Sequence, residues 1–520
     1  MSIAIVKKEE MAPQYDANGF SRMEMLPGTF PGAHNYKCFL KAGHDVQPEK
    51  YADKTAVYCF TAGKGYVTTP REAWNVTEPG VFVPEFDTER FTIICSADSK
   101  QPLEFLHIIT ELNGYDKTCL VESRMVLPRF RTISQGWTYD EDFKDNSVTT
   151  SMMLLEHRNL GRLSMGCVKG CGPIEIGQHI HNELAQWYFP LPGSEFIYTA
   201  GGEEVHMTGG DLSFTPPASG TAARSRLARS ATTSGSRCAS TGIPERSNKV
   251  HRKERLPDRS YTTIHCKGEF TMALVKISRG TDIQHKYTDG VSRVSVLEGA
   301  YKDATVERVS LQPGADFTPE TYTREQHNQV FLVTAGKGYI VTPRRVFNIK
   351  EVSVFVPDFD KETFTFHCAA DAKETMEIVH FVTELNDYDK TCLREAHMSL
   401  PRFRGVSEAW HYKEDFTGAD IQQMMMLEHR NLGRLSMGAN FGTGPNYIGQ
   451  HIHNELEQWY IMLPGASFTY TAEEEKIHVQ GGDITYTPHG SHHGSECADG
   501  EKFAYVWFEL CENGYPGEIK

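Results

Sequence analysis

The chain repeats itself, and the repeat limits what it can fold into more than any other feature. Ala62-Gly63-Lys64-Gly65-Tyr66 returns as Ala335-Gly336-Lys337-Gly338-Tyr339, and Tyr115-Asp116-Lys117-Thr118-Cys119-Leu120 returns as Tyr388-Asp389-Lys390-Thr391-Cys392-Leu393. The stretch from Leu155 to Gly166 returns whole from Leu427 to Gly438, and Gly177 to Leu184 returns as Gly449 to Leu456. The offset stays at 272 or 273 throughout. One unit of roughly 250 residues is therefore used twice, and both copies must reach the same fold. At 520 residues the chain is too long for one core, so several domains are expected.

Within each copy the local pattern is strand and turn. Runs such as Val57-Tyr58-Cys59-Phe60-Thr61 and Phe91-Thr92-Ile93-Ile94-Cys95 are separated by Gly, Pro and Asp turns, which is hairpin chemistry. The Gly-Lys-Gly repeats read as tight hairpin turns; with no helix after them they are not phosphate loops. Helices should be few, with one short segment expected near Tyr139-Asp140-Glu141-Asp142-Phe143.

The chemistry concentrates in Ile448-Gly449-Gln450-His451-Ile452-His453-Asn454-Glu455-Leu456-Glu457-Gln458-Trp459-Tyr460. In a strand, residues i and i+2 share a face, so the His451 and His453 rings face one pocket. A third donor comes from Glu457 or Gln458. A fourth arrives from Gly482 to His493, where Pro488-His489-Gly490 turns the chain and delivers His493. Three imidazoles and one oxygen donor suit a first-row divalent metal with positions left open for water or substrate.

The pattern Gly-x5-His-x-His-x4-Gln-x6-Gly, ending at Gly465, followed by Gly-x5-Pro-x-Gly-x2-His, resembles the two metal-binding motifs of the cupin superfamily. That resemblance implies an all-β fold of small jelly-roll barrels with a metal inside. The family usually has Glu as third ligand, but here the spacing to Gly465 selects Gln458, with Glu457 one place off. Copy one has Ala185 at the Glu457 position and Gln186 at the Gln458 position. The implied ligands are His451, His453, Gln458 and His493 in copy two, with His179, His181 and Gln186 in copy one.

The first half of each copy resembles a cupin core whose ligand positions are empty. The expected organisation is two bicupin repeats, four barrels in all. Residues 1–115 form a degenerate barrel and 116–217 an incomplete metal-motif barrel; 218–271 form an aberrant basic linker; 272–388 and 389–520 form the corresponding barrels of copy two.

Copy one breaks at its second motif, because Gly210 to Pro216 is sound but Pro217-Ala218-Ser219-Gly220-Thr221 follows without a His. From Ala218 to Thr271 there are eleven Lys or Arg against four acids and no strand periodicity, as in a disordered linker. A sharper hypothesis is a reading-frame shift. Starting at each third base, the codons for Pro217 to Ala222 permit Gly-Val-Gly-His-Gly, which restores the Pro-x-Gly-x-x-His pattern. Sequencing the DNA and transcript decides this; no His codon in any single-base shift would refute it. Without its last strands the copy-one barrel should expose an edge.

Net charge is −15, which disfavours nucleic acid as a partner. Hydrophobic content of 39%, with no apolar run long enough to span a membrane, fits a soluble chain. The start of the sequence lacks the apolar core of a signal peptide, so a cytoplasmic location is expected. The twelve cysteines follow no metal or disulfide spacing and read as buried thiols. The two copies could pack as an intramolecular pseudo-dimer, or the chain as a homo-oligomer.

Glu455, and Glu183 in copy one, would face inward beside the metal as a catalytic acid or base, or stand in water at the hairpin turn. His489 and His492 read as loop residues, and Trp459, Tyr460, Tyr486 and Trp507 as core. Arg129, Arg131, Arg402 and Arg404 read as structural ion-pair partners or as clamps for an acidic substrate. The resemblance implies one divalent transition metal per intact site (Fe, Mn, Ni, Co or Zn) and a small-molecule substrate. Its leading reading is a dioxygenase similar to quercetinase-like bicupins, acting on a phenolic or carboxylic substrate. Alternatives are a non-redox isomerase or lyase on a sugar-derived acid, with Glu455 moving a proton, and a non-catalytic binding or storage protein.

Overall fold

The computed structural model describes residues 3–123, 125–225, 230–239, 275–396 and 398–515, with backbone alone at 225 and 230–239. Among these residues the regular secondary structure is almost entirely antiparallel sheet. Each copy contributes two barrels built from facing sheets. In the first barrel of copy two, Val291–Tyr301, Ala304–Leu311, Met376–Glu384, His327–Ala335, Ser353–Val356 and Arg402–Gly405 form one sheet. The strands Asp316–Phe317, Thr365–Cys368, Gly338–Val341 and Arg345–Ile349 form the other. Copy one repeats this arrangement from Phe20–Met25 to Arg129–Thr132. The Gly-Lys-Gly turns fall at hairpins, with Gly63 and Gly336 at φ of 88° and 90°, where a side chain would be strained.

The interiors of the first barrels are full. Tyr58, Phe60, Trp74, Phe82 and Phe105 pack inside that of copy one, and Phe331, Phe347, Phe355 and Phe366 inside that of copy two. Each buried aromatic contributes about 1.5–3 kcal/mol, and together they occupy the space a ligand would need. Their strands are apolar on the other face too, because the two barrels of a copy pack sheet against sheet. Val330, Leu332 and Phe381 meet Met426, Met437, Trp459 and Phe508 there, with the Phe381 and Phe508 rings stacked at 3.9 Å.

The barrels exchange strands, so the expected boundaries do not follow the sheets. Ala4–Val6 pairs with the second-barrel strand Leu212–Thr215, and Lys276–Ser278 with Ile484–Thr487. Arg129–Thr132 and Arg402–Gly405 return to the first barrels. The two copies are joined by one more pairing, Arg345–Ile349 with Glu72–Val76, in the register Arg345↔Trp74, Val346↔Ala73, Phe347↔Glu72. Because corresponding strands pair antiparallel, the contact has the symmetry of an isologous dimer.

Two expectations need correction. Among the described residues the α-helices lie at Gly114–Ser123 and Asp387–Glu395, whereas Trp137–Tyr139 is a strand. Reciprocal caps start both helices: Asn386 Oδ1 accepts from Asp389 N at 2.9 Å, Asp389 Oδ2 accepts from Asn386 N at 3.0 Å, and Asn113 and Asp116 repeat the pair. The copy-one barrel also does not lose its last strands. Gly220–Ser225 pairs with Ile174–Ile180 and Glu195–Ala200, and Ser230–Ala239 fills the gap between Leu163–Cys171 and Leu184–Pro190. Neighbouring ladders impose strand geometry on a segment whose own sequence does not ask for it. Residues 226–229 and 240–271 of the expected linker lie outside the described residues. No described helix is long and apolar enough to cross a membrane.

Candidate metal centre

In the second barrel of copy two, Asn446–Ile452 lies beside His492–Cys497 with His451 and His493 as direct partners across the ladder. A register shift between Ile448 and His451 re-aims the end of the first strand, as a bulge does. Gly494 permits the approach, since a Cβ there would stand 2.7 Å from the Ile448 carbonyl oxygen. The His-x-His strand and the Pro-x-Gly-x2-His strand thus converge inside an antiparallel barrel. The barrels resemble the cupin fold.

Among the described residues, His451, His453 and His493 bring their ligating atoms within 4.8 Å of one another. The His451 Nδ1–H donates to the Gly449 carbonyl at 2.8 Å, and the His493 Nδ1–H to Ser491 O at 3.0 Å. Those bonds fix the tautomer and leave Nε2 as the lone-pair donor. His493 Nε2 is buried and has no hydrogen-bond partner. Burial lowers His451, burial and then the His451 charge bring His453 down to about 4, and the same causes bring His493 to about 3. All three rings are neutral at pH 7, the state in which imidazole binds metal. Phe416 stacks on His451 at 3.9 Å and holds its plane.

Gln458 lies on the Leu456–Met462 strand and lines the same cavity, while Glu457 faces the other way. The Gln458 Nε2 donates to Glu509 Oε1 at 3.1 Å, so its amide oxygen is the atom that could act as a fourth donor. Glu457 instead accepts from Tyr486 OH and from His489 Nδ1, both at 2.5 Å. The residues present therefore fit a divalent metal: three neutral nitrogens, one buried orphan among them, and one amide oxygen. Gln458→Ala is expected to weaken metal binding more than Glu457→Ala does, measured as retained metal after dialysis; the reverse order would make Glu457 the ligand.

The cavity above the imidazoles has a volume of about 820 Å³, with Trp410, Tyr412, Tyr460, Tyr505 and Trp507 among its walls. Glu455 is exposed in the bend before the Leu456–Met462 strand and lies at the rim, 4.0 Å from Cys511 Sγ. The deeper carboxyl is Glu509, pushed up to about 7 by burial against the opposing hydrogen bond from Gln458. Glu509 was not singled out in the sequence. The available signal is an acid at alternate spacing from Tyr505 and Trp507 in the otherwise apolar strand Lys502–Cys511.

His489 is tied to Glu457, and His492 is exposed beside Glu473, 3.6 Å away. Trp459 and Tyr486 face the contact between barrels, whereas Tyr460 and Trp507 face the cavity. Arg129 and Arg131 pair with Glu156, and Arg402 and Arg404 with Glu428. The described cysteines form no disulfide, and all but Cys171 are buried.

In copy one, His179 and His181 meet edge-on at 5.1 Å between centroids, and Gln186 is buried nearby on Leu184–Pro190. Opposite His179, where His493 faces His451, stands Thr221, whose Oγ1 lies 3.3 Å from His179 Nε2. The shifted-frame histidine would fall at this same position. Thr221→His is expected to give copy one a third imidazole and raise bound metal toward two per chain; an unchanged metal content would contradict the assignment.

No protein-family model and no curated protein sequence matches the chain. Several solved structures are similar to parts of it. Protein Ylba from E. coli matches at 13% identity over 47% of this chain and 93% of its own, with a TM-score of 0.36. The oxalate decarboxylase–formate complex of Lactobacillus farciminis matches at 10% identity over 45% of this chain and 86% of its own, TM-score 0.35. A cupin 2 conserved barrel domain protein from Leptotrichia buccalis matches at 13% over 46% and 98%, TM-score 0.33.

Proposed function

We propose that the second barrel of copy two is a metal-dependent enzyme site for a small organic anion, with dioxygenation of a phenolic or carboxylic substrate as its reaction. The observation that carries this reading is the convergence of three neutral imidazoles in an aromatic-walled cavity that Gln458 also lines. No carboxylate belongs to that donor set, so a divalent ion held there keeps its full charge and selects an anionic substrate oxygen. The metal, when bound, supplies Lewis acidity and positions for substrate and O2. The rest falls to the chain. His451, His453, His493 and Gln458 hold the ion; Tyr460, Tyr505 and Trp507 pack the substrate ring and exclude water. Glu509, which lines the cavity and is fixed by Gln458, is placed to take the substrate's acidic proton.

That same buried carboxyl favours a second reading, a non-redox lyase or isomerase in which a proton is moved and no oxygen is used. A non-catalytic binding protein is the third. An oxygen electrode separates them, using full-length protein reconstituted with Fe(II) or Mn(II) and a panel of phenolic and carboxylic acids. Oxygen uptake coupled to substrate loss is expected. Substrate loss without oxygen uptake supports the second reading, and retention of unchanged ligand the third.

A further inference from the structure

The two copies meet around a second cavity, of about 450 Å³, whose walls come from corresponding residues of each. Arg129 is matched by Arg402, Glu156 by Glu428 and Pro128 by Pro401, so the cavity straddles the pseudo-two-fold relation between copies. At one position the copies differ in charge: Glu72 in copy one is Arg345 in copy two.

The charges around this cavity do not balance. Glu156 accepts from Arg129 Nη2 at 3.0 and 2.8 Å and also from Arg131. Glu428 accepts from Arg402 Nη2 at 3.1 and 2.8 Å and from Arg404 Nη1 at 2.7 Å. Each carboxylate thus serves two guanidiniums. Arg345 directs Nη1 to Pro401 O at 3.0 Å and Nη2 to Phe130 O at 2.7 Å, so its donors end on backbone rather than on an acid. Among the described residues that line the cavity, four guanidiniums, of Arg129, Arg131, Arg345 and Arg402, face three carboxyl groups, of Glu72, Glu156 and Glu428, an excess of one positive charge. Burial pushes Glu72 up to about 8, which leaves it mostly neutral at pH 7 and widens the excess. Burial, and then the adjoining guanidinium, pull Arg131 and Arg402 down to about 10.

Buried cations in excess of their counter-ions are costly unless something compensates them. The Nε atoms of Arg129 and Arg402 are buried without a hydrogen-bond partner. Both residues line the cavity, and a guanidinium presents a fork that matches a carboxylate. Since the two are related by the pseudo-two-fold, a ligand that satisfies both carries two carboxylates. The volume lies within the range of small-molecule pockets.

We propose that this cavity binds a small dicarboxylate, which bridges the two copies through Arg129 and Arg402. The test is calorimetric titration of the full-length protein with succinate, inorganic phosphate and acetate in separate runs. Succinate is expected to bind once per chain, with phosphate and acetate weaker by at least about tenfold. The double variant Arg129→Met, Arg402→Met is expected to lose succinate binding by at least about tenfold. No succinate binding, phosphate binding as tight as succinate, or succinate binding that survives the double variant overturns the proposal; the last outcome places the ligand elsewhere, the metal centre included. If circular dichroism shows that the double variant is unfolded, Arg402→Lys decides. It keeps the charge and removes the fork, so weakened succinate binding supports the proposal and unchanged binding overturns it.

Discussion

His493→Ala is expected to release the metal of copy two, lowering affinity by more than about 100-fold, a larger loss than removing an outer-shell partner causes. His493 is the buried member of the triad, and its Nε2 is the orphan that an ion would satisfy. Copy one already carries the equivalent change, with Thr221 opposite His179. The exposed neighbour His492 is the control, because it lies beside Glu473 and outside the cavity lining. Metal content measured on both variants separates the roles: loss in His493→Ala with full retention in His492→Ala is expected, and equal retention in both would remove His493 from the donor set.

The second large effect concerns stability. Glu428→Ala leaves Arg402 and Arg404 buried without their shared carboxylate, and breaking such a pair costs about 3–5 kcal/mol. The first thermal transition should fall by about 10 °C. The same carboxylate makes a pH prediction. Burial raises its pKa, but the charges of Arg402 and Arg404 outweigh that and hold Glu428 at about 2; Arg129 and Arg131 do the same for Glu156. A carboxylate held below its unfolded value adds stability above that value, and the contribution fades as pH falls toward the folded one. The stabilisation is thus complete above about pH 4.5 and is lost progressively toward pH 2. Glu428→Gln should flatten the decline in melting temperature between those values, and an unchanged slope would show that the pair is not the acid-labile element.

The repeat and the metal motifs were legible because their physics is local. A period of two places His451 and His453 on one face whatever surrounds them, and Pro488-His489-Gly490 is a turn in any context. Gln458 and Glu457 were separable through the spacing to Gly465 and the missing acid at Ala185; the structure puts them on opposite faces of one strand. Glu509 was hidden because its strand lies more than fifty residues from Gln458 in sequence, and only the ladder between Leu456–Met462 and Lys502–Cys511 brings them together. The acidic stretch after Tyr139 resembles a helix start, but the α-helices begin at the Asn-x-x-Asp caps of Asn113 and Asn386. The strands of copy one after Ala218 could not be read at all, since their pairing partners, not their composition, set their conformation. Joining of the copies through Glu72–Val76 and Arg345–Ile349 likewise carries no local signature, for any edge strand can pair.

The most direct measurement is elemental analysis of the purified full-length protein. One first-row transition metal per chain is expected, held by His451, His453, Gln458 and His493, with copy one lacking its third imidazole. A chain that retains no metal after incubation with Fe(II), Mn(II), Co(II), Ni(II) or Zn(II), or one whose metal survives loss of His451 and His493 together, would contradict this expectation.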